Sequence, residues 1–278
     1  MAGIIRRDYH WGVFSPFQAC WDRVDRAEVH RQASIERWNA FDTSQAYTSR
    51  GEIDDDGTGR FFIEPVKKDW TLPFSLELGE MLYQLRSALD SCVYDAAILK
   101  FGNPPPNPKQ WQFPITSNPS DFKEAIRRMK DIPADVAAII ERVQGYSRLA
   151  CSFDGKEFDL GPTLVILNEW ARIDRHRQLH LVGTALTGGK LAIGSPMGMG
   201  VEYCDFIGGD ILENKSEIAR FKIRNFIPGT TVHLHPAFTF EIMVDESPRV
   251  RLNEIALAMG MSVSATREIF ENHFGITR

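Results

Sequence analysis

Two groups of side chains in this sequence are spaced for polar chemistry. Arg86 and Asp90 stand four residues apart, and Asp174, His176 and Arg177 crowd together further along the chain. Side chains at i and i+4 are neighbours on a helix surface, so Arg86 and Asp90 can pair. In its plainest form that is an exposed, weak ion pair. Projected at about 100° per residue, Asp174 and Arg177 fall on the apolar side of their own stretch, while Glu169, His176 and His180 line the other. Charges on a core-facing stripe are costly unless paired. The spacing therefore predicts that Asp174 and Arg177 meet Arg86 and Asp90 across a helix–helix interface, two charges against two.

Histidines offer a second chemistry. His176 and His180 share a stripe with Glu169, and His233 and His235 alternate on a predicted strand, facing one side. A strand crossing that stripe would bring imidazoles together as metal ligands. No single segment supplies three ligands and the H-E-x-x-H order is absent, so these read as solvated histidines, and no metal or cofactor is expected. The P-loop order, the G-x-S-x-G elbow, the kinase set and the dinucleotide fingerprint are all missing, which leaves hydrolase, kinase and Rossmann readings without support.

The elements that must position these residues are two helices. In Leu78 to Leu99, Leu78, Leu82, Leu85, Leu89, Cys92, Val93 and Ala96 recur at three- and four-residue steps, the mark of one buried face. The predicted helix spans about 76–101, with Arg86 and Asp90 on the shoulder of its apolar stripe. A second helix is predicted over about 163–182, with Leu164, Leu167, Trp170, Ala171 and Leu181 on its apolar side.

The 278 residues are 43% hydrophobic and 25% charged, an ordinary globular composition. A net charge of −5 argues against general coating of nucleic acid, which needs a cationic surface. The four cysteines, Cys20, Cys92, Cys151 and Cys204, form no CxxC pair, and Cys92 lies on an apolar face. Together with an N-terminus that lacks a continuous apolar stretch, this predicts a reducing, cytoplasmic setting without a secretory signal. No run is long and apolar enough for a membrane span.

Taken in order, a long polar helix is predicted from Pro16 to Asn39, started by Ser15 and Pro16. A hairpin follows around the acidic turn at Asp54 to Gly59, which lacks the ligand spacing of a calcium loop. Gly102 to Pro108 (GNPPPNP) break the central helix and run extended. The short apolar WQFPI at Trp111 to Ile115 tucks against the core. Two short helices are expected at Asp121–Met129 and Ala134–Val143. Gly188 to Gly200 read as a loose segment, and Val201–Ile207, Glu217–Ile223 and Thr231–Val244 as antiparallel strands. Val250 to Phe274 has a helix-turn-helix outline, with Gly260 and Ser262 at the turn. Its second helix carries one cation, Arg267, beside Glu268 and Glu271, a poor match for phosphate. A terminal helix pair covering the sheet is the expectation instead. The fold class is thus α+β: one domain over 1–278, with a helical part to about 187, a β part over about 188–248 and terminal helices over 250–274.

The stretches GEMLYQLRSALDS and NEWARIDRHRQLHLV resemble the GE-x-L-x-x-LRSALDH and N-x-x-x-x-x-DKHR-x-L segments of a family of uncharacterised bacterial proteins. WQFPI and VQGYSR match that family's FPI and QPY signposts more loosely. The resemblance covers roughly Gly79 to Val182, with Arg86, Asp90, Asp174, His176 and Arg177 as the matching polar positions and Arg175 in place of Lys. The family's Arg-then-His spacing is similar to the R-x4-6-H motif of HEPN domains, which are helical and often cleave RNA without a metal. The resemblance thus implies an imidazole acting as general acid or base beside a cation that stabilises phosphorane charge. Here Ser91 occupies the motif's His position, and His176 would have to substitute. Two functions from different classes follow. One is a non-catalytic binding or scaffold protein whose Arg/Asp constellation is structural. The other is a HEPN-like metal-independent endoribonuclease, or a degenerate relative of one. RNA or a protein is the corresponding partner, a homo-oligomer is compatible with either, and a membrane with neither.

Overall fold

The structure, a computed structural model, describes residues 15–41, 47–65, 70–153, 156–177, 181–194, 198–207, 216–246, 248 and 250–276. Its elements run α1 (Gln18–Asn39), β1 (Tyr47–Ile53), β2 (Thr58–Pro65), α2 (Leu72–Phe101), α3 (Pro119–Arg128), α4 (Ala134–Arg142), β3 (Ala150–Phe153), β4 (Lys156–Asp159), α5 (Leu160–His176), β5 (Leu181–Gly194), β6 (Gly200–Phe206), β7 (Glu217–Arg224), β8 (His233–Val244), β9 (Val250–Arg251) and α6 (Leu252–His273). This is an α+β fold, and among the described residues no helix is long and apolar enough to cross a membrane. The chain divides into two compact units. One comprises residues 1–26, 84–165 and 261–278, the other 27–83 and 166–260.

The first unit is helical with one small hairpin, β3 against β4. Every apolar position of the α2 stripe from Leu85 to Ala96 is buried, as the periodicity requires. Phe17, Phe113 and Phe270 are fully buried, with ring centroids 6.1 Å apart for Phe17–Phe270 and 6.4 Å for Phe113–Phe270. α2 ends in the expected way: Gly102 follows it at φ +92°, a left-handed conformation that glycine adopts without strain.

The start of α1 is built differently from its predicted Ser15–Pro16 cap. Phe17 has φ +63°, and its backbone N–H donates to Asp95 Oδ2 at 2.7 Å, so a carboxylate from the middle of α2 serves the helix end. Burial pushes the Asp95 carboxyl up to about 6, against the opposing effect of that hydrogen bond.

In the second unit, β2 pairs with both β1 and β7, and β6 completes a four-stranded antiparallel sheet in the order β1-β2-β7-β6. A three-stranded sheet is ordered β5-β8-β9. Phe61 and Ile63 of β2, Leu186 of β5, Ile218, Phe221 and Ile223 of β7 and Phe240 of β8 form this unit's hydrophobic cluster. Trp38, Phe41, Trp70 and Phe74 pack ring against ring beside Tyr47, which reaches Phe240 at 5.6 Å between centroids.

Four expectations are corrected here. The second key helix stops at His176, not Val182, and Leu181 and Val182 open β5. The glycine-rich segment is not loose: Gly188, Gly189 and Gly194 sit in a strand paired with β8 along its length. Consecutive strands pair only in part: β6 pairs with β7 as expected, but the other edge of β7 takes β2 of the N-terminal hairpin, and β8 pairs with β5 instead of β7. The C-terminal segment is one continuous helix, not a pair, and Arg267 is buried at 2% exposure with its guanidinium over the Trp21 ring, out of reach of any phosphate backbone.

Two outcomes test this packing. A Cβ on Gly161 would lie 2.0 Å from the Gln144 carbonyl oxygen, so Gly161→Ala is expected to lower Tm by roughly 5 °C or more in thermal unfolding. Asp95 keeps its proton up to about pH 6 in the folded chain, whereas its ordinary value is 3.8. The folded state then binds more protons across that window, and this group's contribution to stability falls as pH rises from about 4 to 6. In Tm measured against pH, Asp95→Asn should therefore gain on wild type across that interval and run parallel to it outside.

Candidate functional site

Arg86 and Asp90 pair as their spacing dictates, but their work is done on the backbone. Asp90 Oδ1 accepts from Arg86 Nη1 at 2.5 Å and from the Phe113 backbone N–H at 2.8 Å. Arg86 Nη2 donates to the Phe113 carbonyl oxygen at 2.8 Å. The two side chains of α2 thus grip both polar groups of one residue. Phe113 itself is fully buried and belongs to no helix or strand.

The same extended segment is held from its other side by Gln144, which is fully buried just beyond α4. Gln144 Oε1 accepts from Thr116 N at 2.8 Å and Thr116 Oγ1 at 3.0 Å. Its Nε2 donates to the carbonyls of Pro114 at 2.9 Å and Ile140 at 3.0 Å. Gly145 N donates to the Thr116 carbonyl at 2.9 Å. The FPI and VQGY signposts are therefore two parts of one polar assembly with the LRSALD helix. Pattern matching found both segments without showing that they bond each other. Ser91, at the motif's His position, donates its hydroxyl to the Ser87 carbonyl one turn back at 3.0 Å.

Asp174 and Arg177 do not form the predicted four-charge cluster with these two. Asp174 lies over Gly79, so close that a Cβ there would sit 2.6 Å from Oδ2. Burial, and then the Glu80 carboxylate, raise the Asp174 carboxyl above its ordinary value. Among the described residues an acid here faces an acid and a glycine, not a guanidinium. Arg177 falls just beyond the end of α5 and is exposed, not core-facing, because the helix stops before its projected phase matters. It pairs with Glu246, Nη1 to Oε1 at 3.0 Å and Nη2 to Oε2 at 3.2 Å. Arg175 turns back along its own helix, its Nε donating to the Ala171 carbonyl at 3.2 Å.

His176 sits between two such ion pairs. Glu169, Arg172, Ile173, His176, Arg177 and Glu246 line an open pocket of about 450 Å³. Arg172 bonds Glu169 through two nitrogens, with Nη2 at 2.5 Å, and each partner holds the other in its charged form. Glu169 and Arg172, three apart, are legible as a helical pair. Glu246 is not, being brought in by β8 from 69 residues away. His180 lies outside the described residues. His233 and His235 are both exposed on one side of β8 as predicted, and among the described residues no three metal-ligating side chains gather.

Replacing Gln144 by Ala strands the Thr116 amide and the Pro114 carbonyl at once. Each buried polar group left without a partner costs about 1–3 kcal/mol, so Gln144→Ala should be the most damaging single change in this assembly. Asp90→Ala, at a partly exposed position, should cost less, and urea unfolding of the two variants gives the ranking. Against known proteins, no family model, no curated protein and no solved structure matches this chain.

Proposed function

We propose that this chain is a non-catalytic binding or scaffold protein, and that the Arg/Asp constellation of its motif helix is structural. One observation carries the reading: Arg86 and Asp90 close a ring of hydrogen bonds on the backbone of Phe113. A catalytic guanidinium must be free to meet developing charge in the substrate. This one is committed to a carboxylate and a buried carbonyl, with 19% of its side chain exposed. The hydroxyl at the motif's His position is likewise engaged within its helix, and a hydroxyl cannot shuttle protons near neutral pH as an imidazole does. Cys20, Cys92 and Cys204 are free thiols, in keeping with a cytoplasmic protein. A protein is the partner class this reading favours.

A second reading rests on a different place. His176 stands in an open pocket flanked by Arg172 and Arg177, the imidazole-plus-cation chemistry that metal-free cleavage of RNA requires. On this reading the chain is a HEPN-like endoribonuclease, or a degenerate relative, with His176 in place of the motif histidine.

Incubating the purified protein with total RNA separates the two, with wild type, His176→Ala and Arg86→Ala run in parallel. The scaffold reading expects intact RNA in all three and loss of soluble or stable protein in Arg86→Ala alone. Cleavage by wild type that disappears in His176→Ala, with folding unchanged, would overturn it in favour of the nuclease.

A further inference from the structure

Within the first unit, the thiols of Cys20 and Cys92 lie 3.3 Å apart, both fully buried and both unbridged. Cys20 belongs to the first turn of α1 and Cys92 to the middle of α2, 72 positions away in sequence. We propose that these two residues are a reversible redox clasp, which a hydroperoxide closes into a disulfide that locks the first turn of α1 onto α2.

Three features of the surroundings suit that chemistry. First, a disulfide forms only where two cysteines already face each other, and sulfurs in van der Waals contact need an approach of little more than about 1 Å. Second, the two thiols are not equivalent. Cys92 donates its S–H to the Cys20 sulfur, and burial together with that bond keeps the Cys92 thiol protonated well above its ordinary range. That suits Cys92 to the resolving step. Third, Cys20 lies in the first turn of its helix and Cys92 in the interior of its own. Helix ends open more readily than helix interiors, so local opening of this turn, released when the Phe17 amide leaves Asp95, is the step that brings peroxide to Cys20 ahead of Cys92.

The steps balance. The Cys20 sulfur attacks one oxygen of the hydroperoxide, an S–O bond forms as the O–O bond breaks, and an alcohol (or water, from hydrogen peroxide) leaves with the thiol proton. The Cys92 sulfur then attacks the sulfenic sulfur of Cys20. An S–S bond forms, the S–O bond breaks, and hydroxide departs with the Cys92 proton as water. Two thiols and one peroxide give one disulfide, one alcohol and one water. A dithiol reductant reverses the bridge by exchange.

Hydrogen peroxide added to the native full-length protein, followed by unfolding, alkylation of the remaining thiols and peptide mapping, tests this directly. The expected product is a peptide pair joined through Cys20 and Cys92, lighter by two hydrogens and restored by dithiothreitol, with Cys204 alkylated. Closing so long a loop should raise Tm by roughly 5 °C in the oxidised form. In Cys92→Ala the reaction should stop at a Cys20 sulfenic acid, which dimedone captures. Recovery of both thiols in alkylated form after peroxide, or a joined pair that involves Cys204 instead, overturns the proposal. Both are read on wild-type protein and do not depend on the folding of a variant.

Discussion

Between Trp111 and Thr116 the chain is partly buried, with Trp111 and Phe113 buried outright and, among the described residues, no strand paired with it, and its backbone polar groups must still be satisfied. The motif side chains solve that constraint. Pro114 removes one amide donor. Asp90 takes the Phe113 amide, Arg86 the Phe113 carbonyl, and Gln144 the Thr116 amide and the Pro114 carbonyl. Once these bonds are made, α2 and α4 are joined through a stretch of chain that is neither helix nor sheet. Gly161 approaches the Gln144 carbonyl at a distance only glycine allows, tying the start of α5 into the same assembly.

This constraint explains how a charged motif can be prominent in sequence while its side chains serve the backbone. A side chain that substitutes for a missing strand partner is as intolerant of change as a catalytic one, since a lookalike cannot supply both a bidentate donor and the right reach. The pocket around His176 differs in kind. Its Glu169–Arg172 pair is exposed, and such pairs contribute little to stability, while Arg177 reaches from solvent to a half-buried Glu246. The polar groups that hold the fold and those that face an open pocket are therefore separate sets, and only Arg177 and His176 of the motif belong to the latter.

Much of the architecture was legible because it follows from periodicity. The α2 stripe, the hairpin at Asp54–Gly59, the two short helices and the alternation of β7 each carry the pattern that their burial demands. The failures have identifiable causes. Leu181 continues the apolar phase of α5 by coincidence: as the first buried residue of β5 it falls where a helical stripe would place it, and periodicity cannot separate the two over so short a stretch. Gly188 and Gly189 weaken strand propensity, but pairing along β8 overrides it, and Gly189 is required because Phe206 lies where its Cβ would be. Gly260 suggested a turn, yet burial of Met259, Val263 and Phe270 carries the helix through it. The polar site was misread for a deeper reason. A sequence displays charges but not the backbone carbonyls and amides they will serve, so nothing in it shows that Arg86 and Asp90, besides pairing with each other, take Phe113 rather than Asp174 and Arg177.

The Gln144 assembly also bears on the order in which the chain acquires its structure. Thr116 and Gln144 are 28 residues apart, and Phe113 and Asp90 are 23 apart, so neither grip can form until separate helices have been brought together. Contacts of that kind are expected late, after the transition state has been passed. The segment from Trp111 to Thr116 would then act as a latch on an already assembled unit, governing how long the native state persists more than how fast it is reached.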